Sequence, residues 1–121
     1  MKTLRILVVE DDFWIGMLLA EMLEEMGHEV CSIEATEADA VTAAIRWKPD
    51  LMIVDVRLGD GSGISAVEEI LRADPISHLF VGGDISTVRA LSPGAACFHQ
   101  PFGKTDIARA IERVLGVRAD C

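Results

Sequence analysis

The chain has 121 residues, half of them apolar, which suits one domain with enough apolar material to fill a sizeable core. Eleven basic residues against 20 acidic ones leave a formal charge of -9, which disfavours nucleic acid and anionic membrane surfaces as direct partners and leaves cations and proteins. No apolar run approaches the roughly 18–20 residues needed to cross a bilayer. No charged-then-apolar secretory leader is evident, and Cys31, Cys97 and Cys121 lack a framework spacing, so reduced thiols in a cytoplasmic protein are expected.

Leu4 to Val9 is a short apolar run ended abruptly by Glu10, Asp11 and Asp12, the pattern of a strand buried on both faces of a parallel sheet. From Phe13 to Met26 the residues Ile15, Leu18, Leu19, Met22, Leu23 and Met26 recur at helical spacing before Gly27, which predicts an amphipathic helix with a glycine stop. The alternation continues with a strand at Val30 to Ile33, an Ala-rich helix at Glu37 to Trp47 and a fully apolar strand at Leu51 to Val54. A glycine-rich loop, Gly59 to Gly63, leads to a third helix at Ile64 to Ala73. A strand at Leu79 to Val81, a fifth at Ala95 to Phe98 and a final helix at Thr105 to Leu115 complete five βα units. This regular alternation predicts an α/β fold, a doubly wound five-stranded parallel sheet of order 2-1-3-4-5, as a single domain over residues 1–121.

Ligands of such sheets bind outside the carboxyl ends of the strands, where the strand order reverses. There the sequence gathers Glu10, Asp11 and Asp12 after the first strand and Asp55 after the third. Two carboxylates about 4 Å apart repel by roughly 4 kcal/mol at an effective dielectric near 20, so the cluster holds protons or a cation. All the donors are oxygens, which selects Mg²⁺ or Mn²⁺ over zinc. Mg²⁺ keeps several waters and commonly pairs one or two carboxylates with phosphate oxygens, and Asp55 is then the natural acceptor of a phosphoryl group. Asp12 has an alternative reading as the N-cap of the first helix, and Asp55 as a turn-forming residue before the glycines.

The segments Ile6-Leu7-Val8-Val9-Glu10-Asp11-Asp12 and Leu51-Met52-Ile53-Val54-Asp55-Val56-Arg57-Leu58 resemble the response-regulator receiver domains of two-component signalling. The resemblance runs over essentially the whole chain and implies a flavodoxin-like receiver fold. It implies that Asp11 binds Mg²⁺ directly, Glu10 acts through a coordinated water, and Asp55 gives one oxygen and accepts the phosphoryl group. The Arg57 backbone carbonyl completes the ligands. The implied donor is a phosphohistidine on a sensor histidine kinase or phosphotransfer protein, and the implied readout is contact with a downstream protein, with a homodimer as a further option.

Two positions and one segment depart from the family pattern. The fourth strand ordinarily ends in Thr or Ser, where this chain has Gly82; the fifth ordinarily ends in Lys before Pro, where this chain has Gln100. Each lost contact to a charged group removes roughly 1.5 to 3 kcal/mol, while moving an equilibrium from 1:99 to 99:1 takes about 5.5 kcal/mol, so a weakened switch is expected. Only the short stretch Asp84 to Pro93 is left for the helix between the fourth and fifth strands, so that helix is expected to be shortened. Phe98 takes the family's switch-aromatic position, with core packing as the alternative.

Two functions follow. The first is a stand-alone receiver, without an output domain, that accepts a phosphoryl group on Asp55. The second is a pseudo-receiver that binds or dimerises without phosphorylation, for which Gly82 and Gln100 speak and the retained acids do not. Trp14 is expected to pack against the first helix, with covering the phosphorylation pocket as the alternative, and His28, His78 and His99 show no metal or triad spacing.

Overall fold

The structure is a computed structural model that describes residues 3–82, 97–99 and 103–115. Strand β1 (Arg5–Val9), helix α1 (Phe13–Glu25), β2 (Glu29–Glu34), α2 (Glu37–Trp47) and β3 (Leu51–Asp55) alternate as expected. They are followed by β4 (Arg57–Leu58), β5 (Gly61–Ser62), α3 (Gly63–Ala73), β6 (Ser77–Gly82), β7 (Cys97–His99) and α4 (Lys104–Leu115). The main sheet runs β2-β1-β3-β6-β7 with every neighbouring pair parallel. This is the predicted 2-1-3-4-5 order of a doubly wound α/β sheet.

The inner strands carry apolar side chains on both faces because helices cover both. Leu7, Val9, Met52, Val54 and Phe80 face α2 and α3 and pack with Ala40, Ala44, Ile64, Val67 and Ile70. Their alternates Ile6, Val8, Leu51, Ile53, Leu79 and Val81 face the other way, onto Leu19, Met22 and Leu23 of α1 and Ile107 and Ile111 of α4. The starts of β1 and β3 are tied by reciprocal contacts: Asp50 N–H donates to the Arg5 carbonyl, and Arg5 N–H to Asp50 Oδ2, each at 2.8 Å. The edge pair β1–β2 slips by one residue, Ile6 facing Val30 and Leu7 facing Ser32, so Cys31 is the extra residue; β1 and β3 pair without a shift.

Two expectations change. Gly59 to Gly63 is not a simple loop: Arg57 pairs with Ser62 and Leu58 with Gly61 in a small antiparallel ribbon, and Gly63 is the first residue of α3. Gly59 turns this hairpin with φ +57°, at the first central position, where a glycine relieves the strain of a positive φ. Leu18, expected on the buried face of α1, is exposed, and that face is instead built from Gly16, Leu19, Ala20, Met22 and Leu23. The expected short helix within 84–93 lies outside the described residues.

Candidate functional site

The unshifted pairing of β1 with β3 ends on Val9 opposite Val54. The next residues along both strands are therefore brought to one edge, Glu10 and Asp11 from β1 and Asp55 from β3. One carboxylate oxygen from each of Glu10, Asp11 and Asp55 lies within 4.8 Å of the others. Asp55 is the last residue of β3 and faces Val81 of β6, and Val56 N–H donates to the Val81 carbonyl at 3.0 Å. Arg57 N–H donates to Asp55 Oδ1 at 3.1 Å, which brings the Arg57 backbone to the rim of the cluster.

Glu10 is the buried member, 3% exposed. Its Oε2 accepts the Asp12 N–H at 3.1 Å, while Oε1 is buried and has no hydrogen-bond partner among the described residues. Burial, then proton sharing with Asp55 and that residue's negative charge, push the Glu10 carboxyl up to about 9. At neutral pH the cation-free cluster therefore retains a proton, which lowers a repulsion of about 3–4 kcal/mol per close ionised pair at an effective dielectric near 20. Among the described residues no lysine or arginine forms an ion pair with the three carboxylates.

This donor set fits a small divalent cation. It is all oxygen and, among the described residues, it is not neutralised by any ion pair and contains a buried oxygen without a partner. Gathered within 4.8 Å of one another, the three carboxylates would hold such an ion, which would supply positive charge at this edge of the sheet.

The fourth acid has a different task. Asp12 is the N-cap of α1, its Oδ1 accepting the Trp14 and Ile15 N–H groups at 2.9 and 3.1 Å. The N-cap reading therefore holds, and Asp12 does not join the cation-competent group. Trp14 does not pack as expected: it is 78% exposed, edge-on to the exposed Phe13 with ring centroids 5.3 Å apart. A contact not anticipated from the sequence links Asp11 to the hairpin, Gly59 N–H donating to Asp11 Oδ2 at 2.8 Å. The glycine at a turn was the available signal, but nothing in it named the partner.

Gly82 ends β6 beside Asp55; a Cβ built on it would stand 3.5 Å from Asp55 Oδ1. The backbone of Phe98 pairs with Val81 in β7, and Gln100 lies outside the described residues. His28 is buried as a hydrogen-bond acceptor for the Leu4 N–H, with Nδ1 at 3.2 Å, and burial lowers its pKa from the usual 6.5.

Comparison with known proteins adds four findings. Residues 6–112 match the profile of the response regulator receiver domain. The chain is 28% identical over 115 residues to the chemotaxis protein CheY of Thermotoga maritima, covering 91% of this chain and 96% of that protein. It is 39% identical over 112 residues to the transcriptional regulatory protein PdtaR of Mycobacterium tuberculosis, covering 89% of this chain and 55% of PdtaR. Its fold superposes on the crystal structure of the response regulator PhyR from Brucella abortus with a TM-score of 0.85 at 28% identity, covering 95% of this chain and 49% of that one. The chain thus spans nearly all of CheY and about half of PdtaR and PhyR.

Proposed function

The chain belongs to the response regulator receiver domain family of two-component signalling, and from that membership we propose that Asp55 accepts a phosphoryl group from a sensor histidine kinase or a phosphotransfer protein. The supporting observation is the meeting of Asp55 with Glu10 and Asp11 within 4.8 Å at the carboxyl edge of the sheet. Mg²⁺ is the cofactor in this reading, held by Asp11 and Asp55, by Glu10 through water and by the Arg57 backbone carbonyl. When bound, the cation supplies positive charge opposite the phosphoryl oxygens.

An Asp55 carboxylate oxygen attacks phosphorus, the bond from phosphorus to the donor's histidine nitrogen breaks, and that nitrogen keeps the electron pair and regains neutrality or a proton from solvent. The Arg57 N–H on Asp55 Oδ1 orients the carboxylate. Asp12 keeps α1 in position through its cap, and Glu10, which retains a proton in the cation-free cluster, would face a bound cation as the carboxylate. The protein signals in the cytoplasm through contacts with a downstream protein, without further catalysis of its own. Among the described residues no helix is long and apolar enough to cross a membrane.

Gly82 favours a second reading, a receiver-like module that binds its partner without phosphorylation, because this position offers the phosphoryl group no side-chain hydroxyl. Intact-mass measurement after incubation with a small-molecule phosphodonor and Mg²⁺ separates the two. A single adduct that is lost in Asp55→Asn and on chelation supports the first. A folded protein that gains no adduct from that donor or from a phosphorylated kinase supports the second.

A further inference from the structure

Resting on the reading of Asp55 as phosphoacceptor, we propose that Gly63 is a positioning residue for Asp55. Gly63 is buried, opens α3, and donates its N–H to the Val56 carbonyl at 2.8 Å. The first turn of the helix is thereby tied to the carbonyl of the residue that follows the acceptor aspartate. A Cβ built on Gly63 would fall far inside contact distance of the Asp55 carbonyl oxygen, 2.9 Å from the Asp55 carbonyl carbon and 2.8 Å from Val54 Cγ1.

The nature of these neighbours decides the consequence. The crowded atoms belong to backbone and to a fully buried valine in the middle of the core, and neither can swing aside. An added methyl must displace either the start of α3 or the Asp55 peptide itself. Both routes disturb the same contacts, because Val56 N–H is fixed to Val81, Arg57 N–H to Asp55 Oδ1, and Ser62 caps α3 through its hydroxyl on Ser65 N–H. Gly61, two residues earlier, makes a clear contrast: the nearest atoms to its added Cβ all belong to the Glu37 side chain, whose end can rotate away. The need at 63 is steric, since Gly63 is not among the glycines with positive φ.

The test compares the wild-type chain with Gly63→Ala, Gly61→Ala, Val54→Ala and the double variant Val54→Ala/Gly63→Ala, each kept at a temperature where circular dichroism shows it folded. Two quantities are read: the rate of Asp55 adduct formation with a small-molecule phosphodonor and Mg²⁺, and the side-chain carboxyl ¹³C resonance of Asp55 in cation-free protein. Gly63→Ala is expected to slow the adduct by about tenfold to a hundredfold, the scale of a misplacement near 1 Å, and to move the resonance. Gly61→Ala should leave both unchanged. The double variant should regain part of the rate, because removing Val54 Cγ1 gives the new methyl somewhere to go, although Val54→Ala alone lowers stability. A purely structural glycine would lower the melting temperature and leave the rate and resonance of the folded protein alone. Wild-type rate in Gly63→Ala, a slowed rate with an unmoved resonance, or failure of both Gly63 variants to fold would each overturn the proposal. A wild-type chain that takes up no phosphoryl group sinks the acceptor reading instead, and the Asp55 resonance alone then decides the positioning of Asp55 by Gly63.

Discussion

Gly82 and Asp55 stand side by side at the ends of neighbouring parallel strands, and a Cβ on Gly82 would rest 3.5 Å from Asp55 Oδ1 and 3.7 Å from Val56 Cβ, ordinary van der Waals distances among the described residues. Residue type at position 82, rather than space, withholds a hydroxyl from the acceptor carboxylate. Gly82→Thr should therefore fold with stability within about 1 kcal/mol of wild type, since a β-branched residue suits a strand. The restored hydroxyl bond to a charged group, about 1.5–3 kcal/mol, should lengthen the life of the phosphorylated protein by about tenfold or more. Time-resolved intact mass checks this, and an unchanged lifetime would show that the hydroxyl does not reach the phosphoryl group.

Glu10 sets a pH dependence whose sign is fixed by its raised pKa. In the unfolded chain its proton leaves near 4.5, whereas in the folded, cation-free protein it stays until about 9. Between those values the folded state binds more protons, so its stability falls as pH rises. Urea unfolding in chelator should show that decline from pH 5.5 to 8.5. Glu10→Gln should flatten it, and Mg²⁺ should stabilise the wild type more at the higher pH because binding expels the proton. Calorimetry in two buffers of different ionisation heat should register the release of a proton on Mg²⁺ binding.

His28 pulls the other way. Its folded-state pKa is lowered by burial, so below about 6.5 the unfolded chain takes up a proton that the folded chain resists. Its stabilising neutrality is complete above that pH and is lost progressively as pH falls. Protonation would also remove the Nδ1 acceptor from the Leu4 N–H. In a Glu10→Gln background, melting temperature should drop between pH 7.5 and 5.5, and adding His28→Gln should reduce the drop. An equal drop in both proteins would assign the acid sensitivity elsewhere.

Asp11 and Asp12 are adjacent acids with separable duties. Asp12→Ala deletes the acceptor for the Trp14 and Ile15 N–H groups and should cost about 1 kcal/mol of stability, while leaving Mg²⁺ affinity and adduct formation close to wild type. Asp11→Ala should abolish Mg²⁺ binding and the adduct. Thermal melts paired with Mg²⁺ titrations distinguish the two; loss of Mg²⁺ binding in Asp12→Ala would return that residue to the cation site.

The frame of this protein was legible because its signals are periodic and long. The runs at Leu4 to Val9 and Leu51 to Val54 announced β1 and β3, and Glu37 to Trp47 matched α2 to the residue. The hairpin at 57–62 escaped because a ladder of two residue pairs has no periodicity to detect and its glycines read equally as loop. The division of labour among Glu10, Asp11 and Asp12 was not readable either. It depends on which acid the turn after β1 buries and which it hands to the helix cap, and three identical charges in a row carry no trace of that geometry. Likewise the spacing of Trp14 and Leu18 fits a helix, but a helix has more apolar residues here than buried face, and only packing reveals the surplus.

The single slip between β1 and β2 at Cys31, set against the unslipped pairing of β1 with β3, makes the sheet a ruler with one adjustable end. An inserted residue at the β2 edge can be absorbed by a bulge, as one already is, because no acid of the site hangs from that strand. An insertion within β1 or β3 would invert every later side chain and part Asp55 from Asp11 by a full residue step. Tolerance of length change should therefore be uneven across the chain, generous at the edge strand and absent in the two strands whose ends must stay level.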